Sequence, residues 1–326
     1  MTGHLGSVRR RVLTPNLSET KLATRGFHEK SPQARELLET IGASFLAGYG
    51  HAAQAARPLD AEPALEAVPV RFRGFAYEGA AMGFAVRDGL PVGGRRHVEE
   101  FLGGRAADHV YMVYVGVGWA MARVPRFRWS AMHTADPLLR WLVLDGYGFH
   151  QAYFRTEQYV RRRRVEPDFP WPGGRWSGYA GRVIDQGIGR ALWFVRGADP
   201  DLVADAIADF PEARRADLYA GTGLAATYAG GAEPAELERL VQRAGRYQPQ
   251  LAQGSAFAAA ARVEAGLLVE HTATATPLLC GVTPQEAALI CREARPDPVL
   301  DTAVPAYELW RIRIAELLGV PMEVRP

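Results

Sequence analysis

The chain has 326 residues, of which 48% are hydrophobic and 23% charged, with a formal net charge of +2. That composition is globular and long enough for one large domain or two smaller ones. It excludes disorder, collagen, a coiled coil and a disulfide scaffold, and its charge balance gives no argument for a nucleic-acid partner or a membrane surface.

At the start of the chain, Arg9, Arg10 and Arg11 are followed by no apolar segment before Pro15, so a secretory signal is not expected. Helix starts then recur with recognisable caps. Ser31-Pro32 opens a helix over Gln33 to Gly48, with proline in its first turn. Pro91 to Arg95, holding Gly93 and Gly94, reads as a turn. The longest uncharged apolar run, Val110 to Ala122, is too short to span a bilayer as a helix and carries enough β-formers to be a strand. The segment Val165 to Gly174 holds three prolines and two glycines and cannot be regular. A loop over 165–176 therefore divides the chain near its middle, either as a linker or over a cavity.

Further on, Asp199-Pro200 opens Asp201 to Asp209, Glu233-Pro234 opens Ala235 to Ala244, and Thr283-Pro284 opens Gln285 to Ala294. In the last of these Glu286 sits at capping-box spacing from Thr283. A final helix runs over about Ala306 to Leu318, with Tyr307, Leu309, Trp310, Ile314 and Leu317 at helical spacing.

A short pattern repeats through these elements: a glycine, small residues, then an aromatic or large apolar residue. It begins at Gly42, Gly79, Gly116, Gly146, Gly187, Gly221 and Gly254, with successive spacings of 37, 37, 30, 41, 34 and 33 residues. Those are lengths of a helical hairpin. Interior glycine costs a helix about 0.5–1 kcal/mol relative to alanine, and close approach of neighbouring helices is the compensating gain. The expected fold is all-α, with about seven helical-hairpin repeats in one domain over 1–326, forming an open solenoid or a closed α/α ring around a pocket.

Three copies carry an acid just before or within the motif: Glu78, Asp145 and Asp185. On the inside of a ring they would do acid/base work or hold a metal; as ordinary helix residues they would cap first turns. His150, with Tyr153 three and Glu157 seven residues later, would share one helix face. No His-Glu-x-x-His spacing accompanies it, so no metal is assigned. Glu78, Asp145, His150 and Asp185 are the candidate catalytic groups. Tyr77, Trp119, Tyr147, Phe149, Tyr153 and Trp193 are the candidate walls for a flat apolar ligand.

Other chemistries are weaker. His271 ahead of Cys280 lacks any nucleophile signature, and two cysteines, Cys280 and Cys291, cannot build a four-cysteine zinc site. Gly116-Val-Gly, Gly187-Ile-Gly and Gly221-Thr-Gly complete no dinucleotide fingerprint, and no Walker lysine exists. Arg161 to Arg164 is the densest basic run, fit for a solvated helix end or an anionic partner.

Taken together, Arg73-Gly-Phe-Ala-Tyr-Glu78-Gly, Leu144-Asp145-Gly-Tyr-Gly-Phe-His150-Gln-Ala-Tyr-Phe154 and Ile184-Asp185-Gln-Gly-Ile-Gly-Arg190-Ala-Leu-Trp-Phe194 resemble an actinobacterial family. That family comprises the accessory proteins encoded beside enediyne polyketide synthases, the UnbL-like type. The resemblance spans about Leu17 to Val320. A preference for arginine over lysine (only Lys21 and Lys30 occur) agrees with the GC-rich coding of such a source. With no signal or membrane span expected, the protein reads as cytoplasmic; the resemblance implies that it acts on a hydrophobic linear polyene delivered by the synthase, by an unnamed reaction, or binds and scaffolds that polyene without catalysis. It implies partners among the polyketide synthase and other enediyne enzymes and assigns no cofactor.

Overall fold

A computed structural model describes residues 6–7, 9–11, 14–91, 96–171, 176–300, 303–320 and 322. The turn expected at 91–95 falls almost wholly outside the described residues, as does the part of the central loop over 172–175. Among the described residues the chain is helical throughout and holds no strand. The β-rich run at Val110 is a helix, because burial on all sides, rather than β-propensity, decides its conformation.

The seven glycine-marked segments fall on seven long helices: α1 (Pro32–Gln54), α2 (Val70–Gly89), α3 (Val110–Met121), α4 (Leu142–Phe154), α5 (Ser177–Val195), α6 (Glu212–Ala229) and α7 (Gln248–Glu264). The caps read from sequence are in place. The Ser31 hydroxyl accepts from the Ala34 amide at 3.1 Å and opens α1. Thr283 and Glu286 form their reciprocal capping box on helix Pro284–Glu293. Helices Pro200–Ala208 and Pro234–Ala244 start on their prolines. The last helix, α8, covers Ala306–Leu317.

Each long helix docks on the one before it through its leading glycine. Gly79 lies against the Phe45 carbonyl, Gly116 against Glu78, Gly146 against Val115, Gly187 against Asp145, Gly221 against Gln186 and Gly254 against Ala220. Gly42, the first, meets the Thr20 side chain instead. A Cβ at any of the six would stand inside the van der Waals shell of that carbonyl oxygen. Two residues further on, Gly118, Gly148, Gly189 and Gly223 meet carbonyls of the following helix, those of Val143, Ile184, Leu218 and Leu251. A helix turns 100° per residue, so positions i and i+2 point to nearly opposite sides. Gly-x-Gly therefore strips one side chain from each flank and lets a helix sit tightly between two neighbours.

Contacts advance together along both members of a pair: Arg182 with Asp217, Gly189 with Thr222, Trp193 with Gly230. Helices α5 and α6 thus run the same way. The same holds for α6 and α7, from Thr227–Ser255 to Tyr228–Arg262. The return segments differ from the expected uniform second helix of a hairpin. Some hold a short α-helix, such as Glu62–Glu66, Pro200–Ala208 and Pro234–Ala244, whereas α3 joins α4 through 3-10 turns at Arg126–Ala131 and Leu139–Trp141. Across the interior, α2 meets α6 and α7: Phe75 packs edge-on against Tyr228 at 5.1 Å, and Arg262 donates to the Arg71 carbonyl at 3.0 Å.

The described part of the central loop is tied down. Glu166 accepts from the Tyr147 hydroxyl at 2.7 Å and from Tyr159, and pairs with Arg126 at 2.7 Å. Phe169 is buried on Trp129 and Tyr147. No described helix is long and apolar enough to cross a membrane.

Candidate functional site

Tight packing of glycine-bearing helices leaves other faces buried together, where α2, α3 and α4 each supply one polar group and α5 supplies two. Glu78 lies in the middle of α2 and Asp145 in the first turns of α4, and both are buried. Arg190 of α5 stands between them. Its guanidinium pairs with the Asp145 carboxylate and reaches Glu78 Oε1 at 3.7 Å. Trp119 Nε1 donates to the same Glu78 oxygen at 3.0 Å, and Gln186 donates to Asp145 Oδ2 at 2.7 Å. The Tyr307 hydroxyl of α8 joins through Gln186 at 3.1 Å.

One cation thus faces two carboxylates in a medium that disfavours charge. Burial pushes the Glu78 carboxyl up to about 7, and the opposing pull of Arg190 and the Trp119 hydrogen bond does not cancel it. Glu78 is therefore a carboxyl that holds or releases a proton near neutrality. The buried Tyr228 hydroxyl, set against Gly74 one turn before Glu78, has no hydrogen-bond partner among the described residues.

Two apolar cavities meet at this cluster. The first, about 60 Å³, is walled by Phe45, Phe75, Trp119, Phe149, Tyr153 and Phe194, with Glu78 and Arg190 at its inner end. The second, about 40 Å³, is walled by Tyr111, Met112, Leu224, Phe257 and Trp310, with Asp145 and Arg190 at its end. Arg190 borders both.

Of the four candidate catalytic residues, the fold brings Glu78 and Asp145 together. Neither works as a cap: Glu78 is mid-helix, and the Asp145 oxygens are taken by Arg190 and Gln186. His150 lies close by, edge-on to Trp119 at 5.7 Å and 4.7 Å from the Phe154 ring. Burial, helped by the charges of Arg123, Arg155 and Arg25, lowers its pKa to about 3 and keeps it neutral. Glu157 does not share its face. The helix ends at Phe154, and Glu157 stands exposed in the following π turn, paired with Arg161 and Arg162. Asp185 is placed apart, on the opposite side of α5. It takes a bidentate grip from Arg214, and burial raises its pKa to about 6.

Of the candidate walls, Trp119, Phe149 and Tyr153 line the first cavity. Tyr77 instead donates to Glu66 at 2.7 Å and stacks on His109 at 3.8 Å. Tyr147 serves the Glu166 cluster, and Trp193 donates to the Gly230 carbonyl at 2.9 Å. The group missing from the sequence reading is Arg190. Its signal was available: it is the lone charge in the small-and-apolar stretch Gly187 to Val195. A second buried network, Arg311 with Asp217 at 2.8 Å and with Glu308 at 3.0 Å, plus Arg182 with both acids, ties α8 to α5 and α6.

His271 and Cys280 do not pair. His271 Nε2 meets the Tyr228 carbonyl at 3.0 Å, whereas the Cys280 thiol points at the Ala252 carbonyl at 3.3 Å. Burial pushes the Cys280 thiol up to about 12 and raises Cys291 well above its ordinary value. Since the thiolate is the reactive form, iodoacetamide at pH 8 should label neither cysteine in the native protein and both after denaturation. Rapid native labelling of Cys280 would contradict this burial. Among the described residues, no three of His, Cys, Asp and Glu gather as metal ligands.

The sequence model of the family described as Protein of unknown function (DUF1702) matches residues 4–318, and the chain belongs to that family. No curated protein and no solved structure matches the chain.

Proposed function

We propose that this DUF1702 member takes a linear polyene from a polyketide synthase into its interior and acts on it there, in the cytoplasm, during enediyne core formation. The seven long helices form, in this reading, a closed α/α ring, the contacts of α2 with α6 and α7 closing it. The observation that carries the reading is the meeting of two aromatic-walled cavities at a buried Glu78–Arg190–Asp145 cluster. Flat rings suit a conjugated chain through dispersion and stacking. Glu78 is the group positioned to give or take a proton, with Arg190 and Asp145 fixing its surroundings.

The cavities are smaller than the ~300 Å³ of an ordinary ligand pocket, so uptake displaces side chains of the cover formed by Pro15–Thr20 and α1. Purified protein mixed with the polyene should change its absorbance with turnover. Glu78→Gln should bind the polyene and stop the conversion. A stoichiometric spectral shift without turnover, equal in wild type and variant, would instead give the non-catalytic binding protein.

Glu78 also makes a prediction independent of any ligand. Its folded-state pKa lies above its ordinary value of 4.5, so its contribution to stability is full below about pH 4.5 and is lost as pH rises through about 7. Glu78→Gln should remove that decline, worth up to about 3 kcal/mol. Urea titrations at pH 5 and pH 8 measure it, and an unchanged pH slope in the variant would refute the buried-carboxyl assignment.

A further inference from the structure

The first cavity, whose occupancy by an apolar chain is the proposed function on which this inference rests, opens to solvent beside Arg123 and Glu19. Among the described residues that line it, all are buried or half-buried except Arg123, two residues past the end of α3. The Arg123 guanidinium makes no hydrogen bond or ion pair with a described residue. Arg155, which follows the last residue of α4, is exposed and unpaired in the same way. Arg25 completes the rim. It pairs with Glu19 at 2.9 Å, donates to the Tyr153 carbonyl at 2.7 Å and lies 4.9 Å over the ring of Phe154, a wall residue. Arg155 follows Phe154 directly in the chain and Arg25 lies over the Phe154 ring, so both stand by the end of the aromatic wall that Phe154 forms.

The charges divide unevenly between the two ends. Inside, Arg190 is answered by Asp145 and Glu78. At the mouth, Glu19 is answered by Arg25, and no described residue answers the positive charges of Arg123 and Arg155. An anion carried into the interior would meet two carboxylates; one held at the mouth would meet two uncommitted guanidinium groups, which suit carboxylate and phosphate oxygens geometrically.

We infer that the ligand is an anionic amphiphile that enters tail first, its chain between Trp119, Phe149 and Phe194 and its carboxylate or phosphate head on Arg123 and Arg155. The same head chemistry is offered by a free chain acid and by the phosphodiester of a phosphopantetheine arm holding the chain as a thioester.

Fluorescence titration with cis-parinaric acid, its methyl ester and parinaroyl-phosphopantetheine, at pH 8 and low salt, tests this. The acid or the phosphopantetheine thioester should bind about tenfold more tightly than the ester. The double variant R123Q/R155Q, exposed at both positions, should keep its thermal melt and bind all three probes as weakly as the ester. A preference for the thioester assigns the tethered source and a preference for the acid the free one; either supports the inference if the double variant abolishes it. If acid, thioester and ester bind alike, or R123Q/R155Q keeps the preference, the arginine rim is not the head site, although the cavity reading survives. If none of the three binds, both readings fall.

Discussion

Gly221→Ala should cost at least about 3 kcal/mol and lower the melting temperature by about 6 °C or more. The added methyl would meet the Gln186 carbonyl oxygen and then the Arg190 amide, both backbone atoms of α5. Backbone in a packed helix cannot move aside as a side-chain end does, so α5 and α6 would have to separate along their contact. Separation there also shifts Arg190. Gly181→Ala on α5 is the control, because a Cβ there meets nothing within 4 Å. That change should be neutral or stabilise by about 0.5–1 kcal/mol through helix propensity alone. Differential scanning calorimetry of the two variants decides the matter: equal melting temperatures would sink the account of the glycines as close-approach positions.

Removing Arg190 should be as damaging for a different reason. Arg190→Met keeps much of the volume but leaves Glu78 and Asp145 buried without their cation. Breaking a buried pair from one side costs about 3–5 kcal/mol. The loss should be larger at pH 8 than at pH 5, because protonation is the only relief left to the stranded carboxyls. Adding Asp145→Asn to Arg190→Met should recover part of it. Arg190→Lys should recover little, since a single ammonium does not span both acids as the planar guanidinium does. Urea unfolding at both pH values measures these differences. A cost below about 1 kcal/mol for Arg190→Met at pH 8 would mean that the cluster is hydrated rather than dry.

Much of the backbone plan is written locally in the chain. Ser31-Pro32, Glu233-Pro234 and the Thr283–Glu286 box mark helix starts within a residue, because a cap is a contact between near neighbours. The glycine series is legible for the same reason, since each copy states its own requirement. The side-chain chemistry is less so. Glu308 and Arg311 sit on a helix whose apolar spacing suggests a simple amphipathic face, yet both are buried while Leu317 is 52% exposed. What makes their burial tolerable is Asp217 and Arg182, about a hundred residues away, and no local pattern announces such partners. Partners distant in the chain also decide that Trp193 is spent on a backbone carbonyl while Trp119 faces a cavity. The two look alike in sequence because each follows a Gly-x-Gly pair within its glycine-marked segment.

The Gly-x-Gly helices behave like links with a socket on each flank, and a link of that kind sets no limit on the length of its own tape. A stop has to be written separately. In α7 the leading Gly254 keeps the backward socket, but the position two further on is Ala256, fully buried. Ala81 holds the same position in α2, and α3 still docks there, so a methyl group at that place does not by itself end the series. The segments that follow, Glu270–Cys280 and Pro284–Glu293, carry no leading glycine. The series of links thus ends where leading glycines cease, and a helix added beyond α7 would need a glycine of its own before its backbone could seat this closely.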